Sequence, residues 1–274
     1  MTSVWACGLS TLDLTYRVPA PPPPGIKIAA ESAAVDAGGP ALNAARTARA
    51  LGAEVTLVTA LGNTPVSSLI REFLGGVTVH DVAESGYRAP VSSAAVDVTG
   101  ARTIVSANAE GAQFITPPHL GPCDALLIDG HLMDPSIELA RTARERGIPV
   151  ILDGGSWKDG LDELAPLLTV AALSDDFAVP GTSDPLAWCA EHGIGVVLQT
   201  HGAGVIEVLS DGERSRIEVP QVEVVDTLGA GDVFHGALAY ALATGSPIGD
   251  AIRGAAVIAS ESVRHEGALT WAVR

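Results

Sequence analysis

Aromatic residues are only 4% of this 274-residue chain, and 16 basic residues face 32 acidic ones, leaving a formal charge of −16. Nucleic-acid and membrane surfaces call for basic patches, so that balance argues against both as partners. A polyanionic ligand would need a local basic or amide-lined site. Cysteine is scarce too: Cys7, Cys123 and Cys189 are odd in number, far apart and without zinc or redox spacing, so reduced thiols are expected. No stretch approaches 18 uninterrupted apolar residues, and the opening Met1-Thr-Ser-Val-Trp-Ala-Cys-Gly8 has neither a basic segment nor a long apolar run. Neither a membrane span nor a signal peptide is therefore expected, and a cytoplasmic location is. Two nucleotide-binding signatures are also missing. The glycine turns at Gly202 and Gly229 carry Glu207 and Phe234 where a dinucleotide fingerprint needs its third glycine, and no Gly-x-x-x-x-Gly-Lys-Ser/Thr occurs. A dinucleotide-dependent oxidoreductase and a P-loop kinase both fall.

What is present is apolar and small: 47% hydrophobic residues, dominated by Ala and Val, with 30 glycines. Such a composition suits an α/β protein of tightly packed helices and Val/Ile strands, folded as one domain over residues 1–274. The βα alternation is regular. Strands are expected at 4–7, 54–60, 77–82, 125–128, 149–152, 170–173 and 195–199. Helices are expected from Gly39 to Gly52 and at 66–74, 135–146, 161–167, 184–192 and 248–260. Asp211-Gly212 predicts a hairpin between 205–209 and 213–219. Gly8 to Asp13 reads as a turn at the end of the first strand, a place where ligands sit in open α/β sheets. The run at 19–24, Pro-Ala-Pro-Pro-Pro-Pro, excludes interior helix and central strand, and reads as a stiff connection. Residues 91–106 change to a period of two and predict a half-exposed antiparallel hairpin. With residues 14–37, the segment 88–110 would form a small β lid over the sheet's ligand end.

The most informative stretch is Asp226-Thr-Leu-Gly-Ala-Gly-Asp232. It runs into an apolar helical face of Val233, Phe234, Ala237, Leu238, Ala241 and Leu242. A glycine turn opening a helix aims unpaired N–H groups at one point, which suits an anion such as phosphate. Asp226 or Asp232 as a simple helix cap is the plain alternative. The functional alternative is phosphoryl transfer, with the turn's amides holding the transferred group and Asp232 taking a hydroxyl proton. Upstream, Gly38-Gly39-Pro40-Ala-Leu-Asn43 opens another helix, and Asn43 falls one turn in, where its amide suits a hydroxyl. Thr200-His-Gly-Ala-Gly204 makes a further glycine turn. Acids stand at several strand ends, Asp129, Asp153, Asp175 and Asp176, and helix capping explains each as well as function does.

Gly38-Gly39-x-x-x-Asn43, Thr200-x-Gly202-x-Gly204 and Asp226-Thr-x-Gly-Ala-Gly-Asp232, in this order and spacing, resemble the ribokinase-like (PfkB-type) carbohydrate kinases over essentially the whole chain. The resemblance implies a three-layer α/β fold with a mostly parallel central sheet, a β-sheet lid, and transfer of the ATP γ-phosphoryl group to a sugar or phosphosugar. It implies Asp232 as general base and the amides of Gly229, Ala230 and Gly231 as anion hole. Asp13, Gly38, Gly39 and Asn43 would hold the acceptor. Thr200, Gly202, Gly204, Ala256 and Gly267 would lie along the nucleotide. It further implies magnesium with ATP, a monovalent cation such as potassium at Asp226, and compatibility with a homodimer through the lid. Two places depart from the pattern. Where relatives often carry Asn-x-x-Glu to organise magnesium, this chain has Ser174-Asp-Asp-Phe177, leaving Asp175 or Asp176 to act through water. Leu61-Gly-Asn-Thr-Pro65 lacks an Asp that relatives tend to have after the glycine. The Ser-led stretch, Asp129-Gly-His and Asp153-Gly resemble the ketohexokinase and sulfofructose-kinase branches, which points to a ketose. Arg102, at the hairpin turn, is solvated surface on the plain reading and an acceptor-phosphate contact on the functional one. His131, His201 and His235 read as packing or edge residues. A nucleoside kinase and a non-catalytic sugar or nucleotide sensor are the rival readings.

Overall fold

The computed structural model describes residues 1–20, 23–98, 100–109 and 112–272. Pro21 and Pro22 of the proline run and Thr99 of the hairpin turn lie outside the described residues. The chain builds β1 (Ser3–Cys7), β2 (Thr11–Arg17), β3 (Ser32–Gly38), α1 (Pro40–Ala50), β4 (Glu54–Thr59), α2 (Pro65–Glu72) and β5 (Val77–Asp81). It continues with β6 (Val91–Val96), β7 (Arg102–Ser106), β8 (Ala125–Ile128), α3 (Met133–Glu145), β9 (Val150–Gly154), α4 (Leu161–Leu164) and β10 (Val170–Leu173). The last elements are α5 (Pro185–Glu191), β11 (Val196–Gln199), β12 (Ile206–Ser210), β13 (Glu213–Ile217), α6 (Ala230–Ala243) and α7 (Ile248–Ser262).

Nine strands form the main sheet in the order β13-β12-β11-β10-β9-β8-β1-β4-β5. Pairings from β5 through β11 are parallel, and β12 and β13 add an antiparallel edge. Strands such as Ala-Leu-Leu-Ile in β8 and Val-Ala-Ala-Leu in β10 are buried throughout, because helices cover both faces. Alternate residues feed two cores. Leu127 and Ile151 pack with Leu42, Phe234, Leu238 and Ile252 of α1, α6 and α7. Leu126, Ile128 and Leu152 pack with Ile137, Leu139, Leu164 and Leu186 of α3, α4 and α5. With all the parallel strands running one way, the loops after β1, β8, β9 and β10 gather at one end.

The segments expected to form the lid build a separate four-stranded sheet, β3-β2-β6-β7, and the 91–106 hairpin forms as expected. Thr11 to Asp13 is not a turn but the start of β2, a lid strand that pairs antiparallel with β3 and parallel with β6. The signal was an alternation, Leu12, Leu14 and Tyr16 against Asp13, Thr15 and Arg17, which is a strand period. The expected 161–167 helix divides into α4 and a 3-10 turn at Ala165–Leu167, where Pro166 has no N–H to continue the α ladder. Elsewhere boundaries shift by a few residues; α1 starts at Pro40, whose fixed φ suits a first helical position.

Candidate active site

Asp232 sits in the first turn of α6, and its Oδ2 accepts a 2.8 Å hydrogen bond from Nδ2 of Asn43, one turn into α1. That bond fixes the amide's orientation and leaves Asn43 Oδ1 buried without a hydrogen-bond partner among the described residues. A buried carbonyl oxygen without a donor is rare enough to need a reason, and a ligand hydroxyl supplies one. Gly229 caps α6 with φ 74°, and a side chain there would begin 2.6 Å from Cβ of Ala268, so both conformation and space demand glycine. Among the described residues, the N–H groups of Gly229 and Gly231 donate to nothing, whereas that of Ala230 reaches Thr227 O at 3.3 Å.

The Asp232 carboxyl is pushed up from its ordinary 3.8 to about 7, first by burial and then by the charge of Asp153. The bond from Asn43 and the proximity of His235 pull it down, and Asp13 raises it further. His235 is buried on the next turn of α6, with Nδ1 3.0 Å from Asp153 Oδ2, an ion-pair distance off the axis of a good hydrogen bond. Burial alone would lower the His235 pKa, but Asp153 and Asp232 outweigh it and the pKa is raised. His235 is thus more than packing: its ring lies beside the carboxylate of Asp153, and Asp153 and Asp232 both favour its protonated form.

The lid contributes a polar face. Register places Asp13, Thr15 and Arg17 of β2 on one side of the lid, with Arg102 of β7 in line with Arg17 through Val96. Asp13 lies directly over Gly38, where any side chain would meet its carboxylate. Its pKa is raised, chiefly by burial, against a 2.6 Å hydrogen bond from Thr11 Oγ1. Arg17 and Arg102 both reach the loop before α6, Arg17 at 3.0 Å from Asp226 Oδ2 and Arg102 at 3.4 Å from Thr227 Oγ1.

The strand-end acids separate. Asp129 is 2% exposed and works as a hub: Oδ2 accepts from the N–H of Leu9 (2.8 Å) and of Ala41 (3.2 Å), and Oδ1 from that of His131 (2.9 Å). It ties the loop after β1, the start of α1 and the turn after β8 into one unit. Asp175 and Asp176 are exposed, Asp175 bonding His201 Nδ1 at 2.5 Å. Phe177 is buried in the core and Ser174 Oγ donates to Gly155 O, so both departing positions are occupied structurally. Thr200 follows β11, its N–H bonded to Leu173 O at 2.9 Å, and Gly202 and Gly204 are exposed beside it. Gly267 donates its N–H to Asp226 Oδ2 at 3.1 Å. Ala256 stands apart from this group: it is buried in the core on α7.

Among the described residues no cluster of three or more His, Cys, Asp or Glu could hold a metal ion. Magnesium arriving on a triphosphate needs no such cluster, since it keeps several waters, and the exposed Asp175 and Asp176 fit that outer role. A monovalent cation at Asp226 fits poorly. That carboxylate already takes the Leu228 N–H (3.0 Å), the Gly267 N–H (3.1 Å) and the Arg17 guanidinium (3.0 Å).

The model of the family described as pfkB family carbohydrate kinase matches residues 1–272. The chain belongs to that family. It is a carbohydrate kinase. It is 29% identical to the ribokinase of Arabidopsis thaliana over 96% of this chain and 76% of that one. It is 27% identical to the fructosamine kinase FrlD of Bacillus subtilis, over 85% of this chain and 86% of that one. Among solved structures, a candidate ribokinase from Agrobacterium tumefaciens superposes with a TM-score of 0.85 at 24% identity, over 99% of this chain and 94% of that one. The Arabidopsis thaliana ribokinase complexed with ribose and ATP superposes with a TM-score of 0.75 at 21% identity, over 98% and 95%. The kinase also shares with these structures its large sheet and smaller separate sheet. No described helix is long and apolar enough to cross a membrane.

Proposed function

We propose that this kinase moves the γ-phosphoryl group of ATP to a hydroxyl of a sugar or phosphosugar, a ketose in the first instance, with Asp232 as general base. The observation that carries the reading is the Asn43–Asp232 pair: one amide orients the base and leaves a buried oxygen facing where a hydroxyl would dock. Asp232 takes the hydroxyl proton as the oxygen bonds to the γ-phosphorus, and the bond to the bridging oxygen of ADP breaks. The free amides of Gly229 and Gly231, at the positive end of α6, stabilise charge on the transferred group, while Ala230 would have to release Thr227 to join them. Asp13 and Gly38-Gly39 hold the acceptor, and Thr200, Gly202, Gly204 and Gly267 flank the nucleotide. Magnesium, when bound with ATP, neutralises phosphate charge, and Asp175 and Asp176 would hold its waters. No step requires potassium, because Arg17 supplies positive charge at Asp226.

A nucleoside acceptor is disfavoured because register puts Tyr16 on the lid face opposite Asp13, and the Tyr87 ring packs edge-on to Phe114. That outward lid face, with Tyr16, Val35 and Val105 exposed, is the surface through which a homodimer would form. The ketose assignment leans on Asp129-Gly-His and the Ser174-led stretch.

Coupled ADP release with ATP and magnesium, over free ketoses and aldoses, their monophosphates, sugar acids and nucleosides, tests the reading. ADP release stimulated by a sugar or phosphosugar supports it, and stimulation by nucleosides alone overturns it. The pH profile is a second check. Asp232 must be unprotonated to act, and its raised pKa of about 7 places loss of activity on the acid side of neutrality. We expect kcat/KM to fall roughly tenfold per pH unit below that point. A flank near pH 4, where an ordinary aspartate titrates, would contradict the assignment.

A further inference from the structure

At the C-terminal ends of β8 and β9, the latter carrying Asp153, a cavity of about 490 Å³ opens, with Asn108, Ala109 and Phe114 in its wall. That volume is within the range of small-molecule sites. Its walls also include His131, Trp157 and Lys158. Lysine is almost absent from this chain: of its 16 basic residues, 14 are arginines, and the two lysines are Lys27 and Lys158. Lys27 is exposed in the connection between β2 and β3, whereas Lys158 is half-buried in the cavity wall.

Lys158 is held but not neutralised. Its Nζ donates to Ser156 O at 3.1 Å and Ser156 Oγ at 3.2 Å, and no carboxylate among the described residues lies within ion-pair distance. Its stem crosses the turn after β8, with Cδ 3.3 Å from where a side chain on Gly130 would begin. An ammonium has three protons, so at least one remains for a ligand. The nearest buried acids are already committed, Asp129 to three N–H groups and Asp153 to His235. Asp134 and Asp159 also line the cavity but are exposed, where water screens them. Burial lowers the Lys158 pKa against the opposing pull of Asp129 and Asp153. A neutral polyol needs only hydroxyl and amide partners, so a half-buried lysine would be an unrewarded desolvation cost there. An oxyanion removes that cost.

We infer that Lys158 binds an oxyanion of the acceptor, phosphate or carboxylate, so that the acceptor is an anionic sugar reacting through a hydroxyl remote from that group. The inference rests on the kinase reading and narrows it. It also gives a chain of charge −16 a means of capturing an anionic substrate.

The test is calorimetric titration with saturating ADP and magnesium filling the nucleotide side. Fructose 6-phosphate, gluconate and fructose serve as probes, against wild type, Lys158→Met and Lys158→Arg. Met keeps the stem over Gly130 and removes the charge. At least one anionic probe should bind wild type more tightly than fructose does and lose tenfold or more in Lys158→Met. Fructose binding should change less than twofold, and Lys158→Arg should recover much of the loss. Equal binding of the anionic probes by wild type and Lys158→Met, or no binding of either to wild type, overturns the inference. Thermal melting of each variant identifies a folding defect, in which case the Lys158→Arg comparison with wild type decides: indifference of Arg to probe charge counts against the proposal. ADP release by wild type with an uncharged sugar and with none of the anionic probes would leave the kinase reading standing while the inference falls.

Discussion

Asp232→Asn should lower kcat by roughly 10²–10⁴-fold while leaving ATP affinity near wild type. The amide has nearly the shape of the carboxylate, and its oxygen can still accept the 2.8 Å bond from Asn43, so the geometry has little reason to change. What disappears is the basic lone pair. Burial and Asp153 already oppose the charged form of Asp232, so a neutral replacement relieves repulsion rather than creating it. Thermal stability should therefore hold or rise. Coupled ADP release, nucleotide titration and a melting curve on the same preparation separate the cases. A variant that melts well below wild type, or binds ATP poorly, would make Asp232 a structural residue, and one with near-normal kcat would remove it as the base.

The largest effect on stability is expected from Asp129→Ala, about 3–5 kcal/mol. The substitution leaves the N–H groups of Leu9, Ala41 and His131 without their acceptor, and each unsatisfied buried donor costs about 1–3 kcal/mol. The loss is not three independent bonds, since the small side chain leaves room for a water to serve one or two of them. Asp129→Asn, which keeps one oxygen, should lose less. Urea unfolding followed by circular dichroism measures both; a shift under 1 kcal/mol for the alanine variant would mean the three loops hold themselves in place.

Asp129 also marks the limit of what the chain shows before it is folded. An acid ending a buried strand is the commonest of helix-cap signals, and nothing local distinguishes Asp129 from Asp176, which is exposed. The difference lies in donors 88 and 120 residues away, brought to it because β1 and β8 pair in parallel and end side by side. Lys158 escapes notice for the same reason: the cavity around it exists only once Asn108, Ala109 and Phe114 join its wall at the ends of β8 and β9. Local chemistry was readable. Asp211-Gly212 turns with φ 52° and 79°, Pro40 opens α1, and the glycines before Asp232 cap α6, each for a reason contained in a few residues. The small sheet is half readable, because the 91–106 alternation is strong while Gly8 to Asp13 looks locally like a turn. The parallel pairing of β2 with β6 has no local signal at all.

Arg17 and Arg102 join the small sheet to the loop before α6. Arg17 grips Asp226, which is itself pinned to Leu228 and Gly267. On the proposed function, raising the lid would break that ion pair, so the acceptor's doorway would open only as the loop proposed to receive the phosphoryl group loosens. A contact on the order of 1–2 kcal/mol shifts such an equilibrium about 5- to 30-fold. Binding of either proposed substrate would then change the affinity for the other through the Arg17–Asp226 contact.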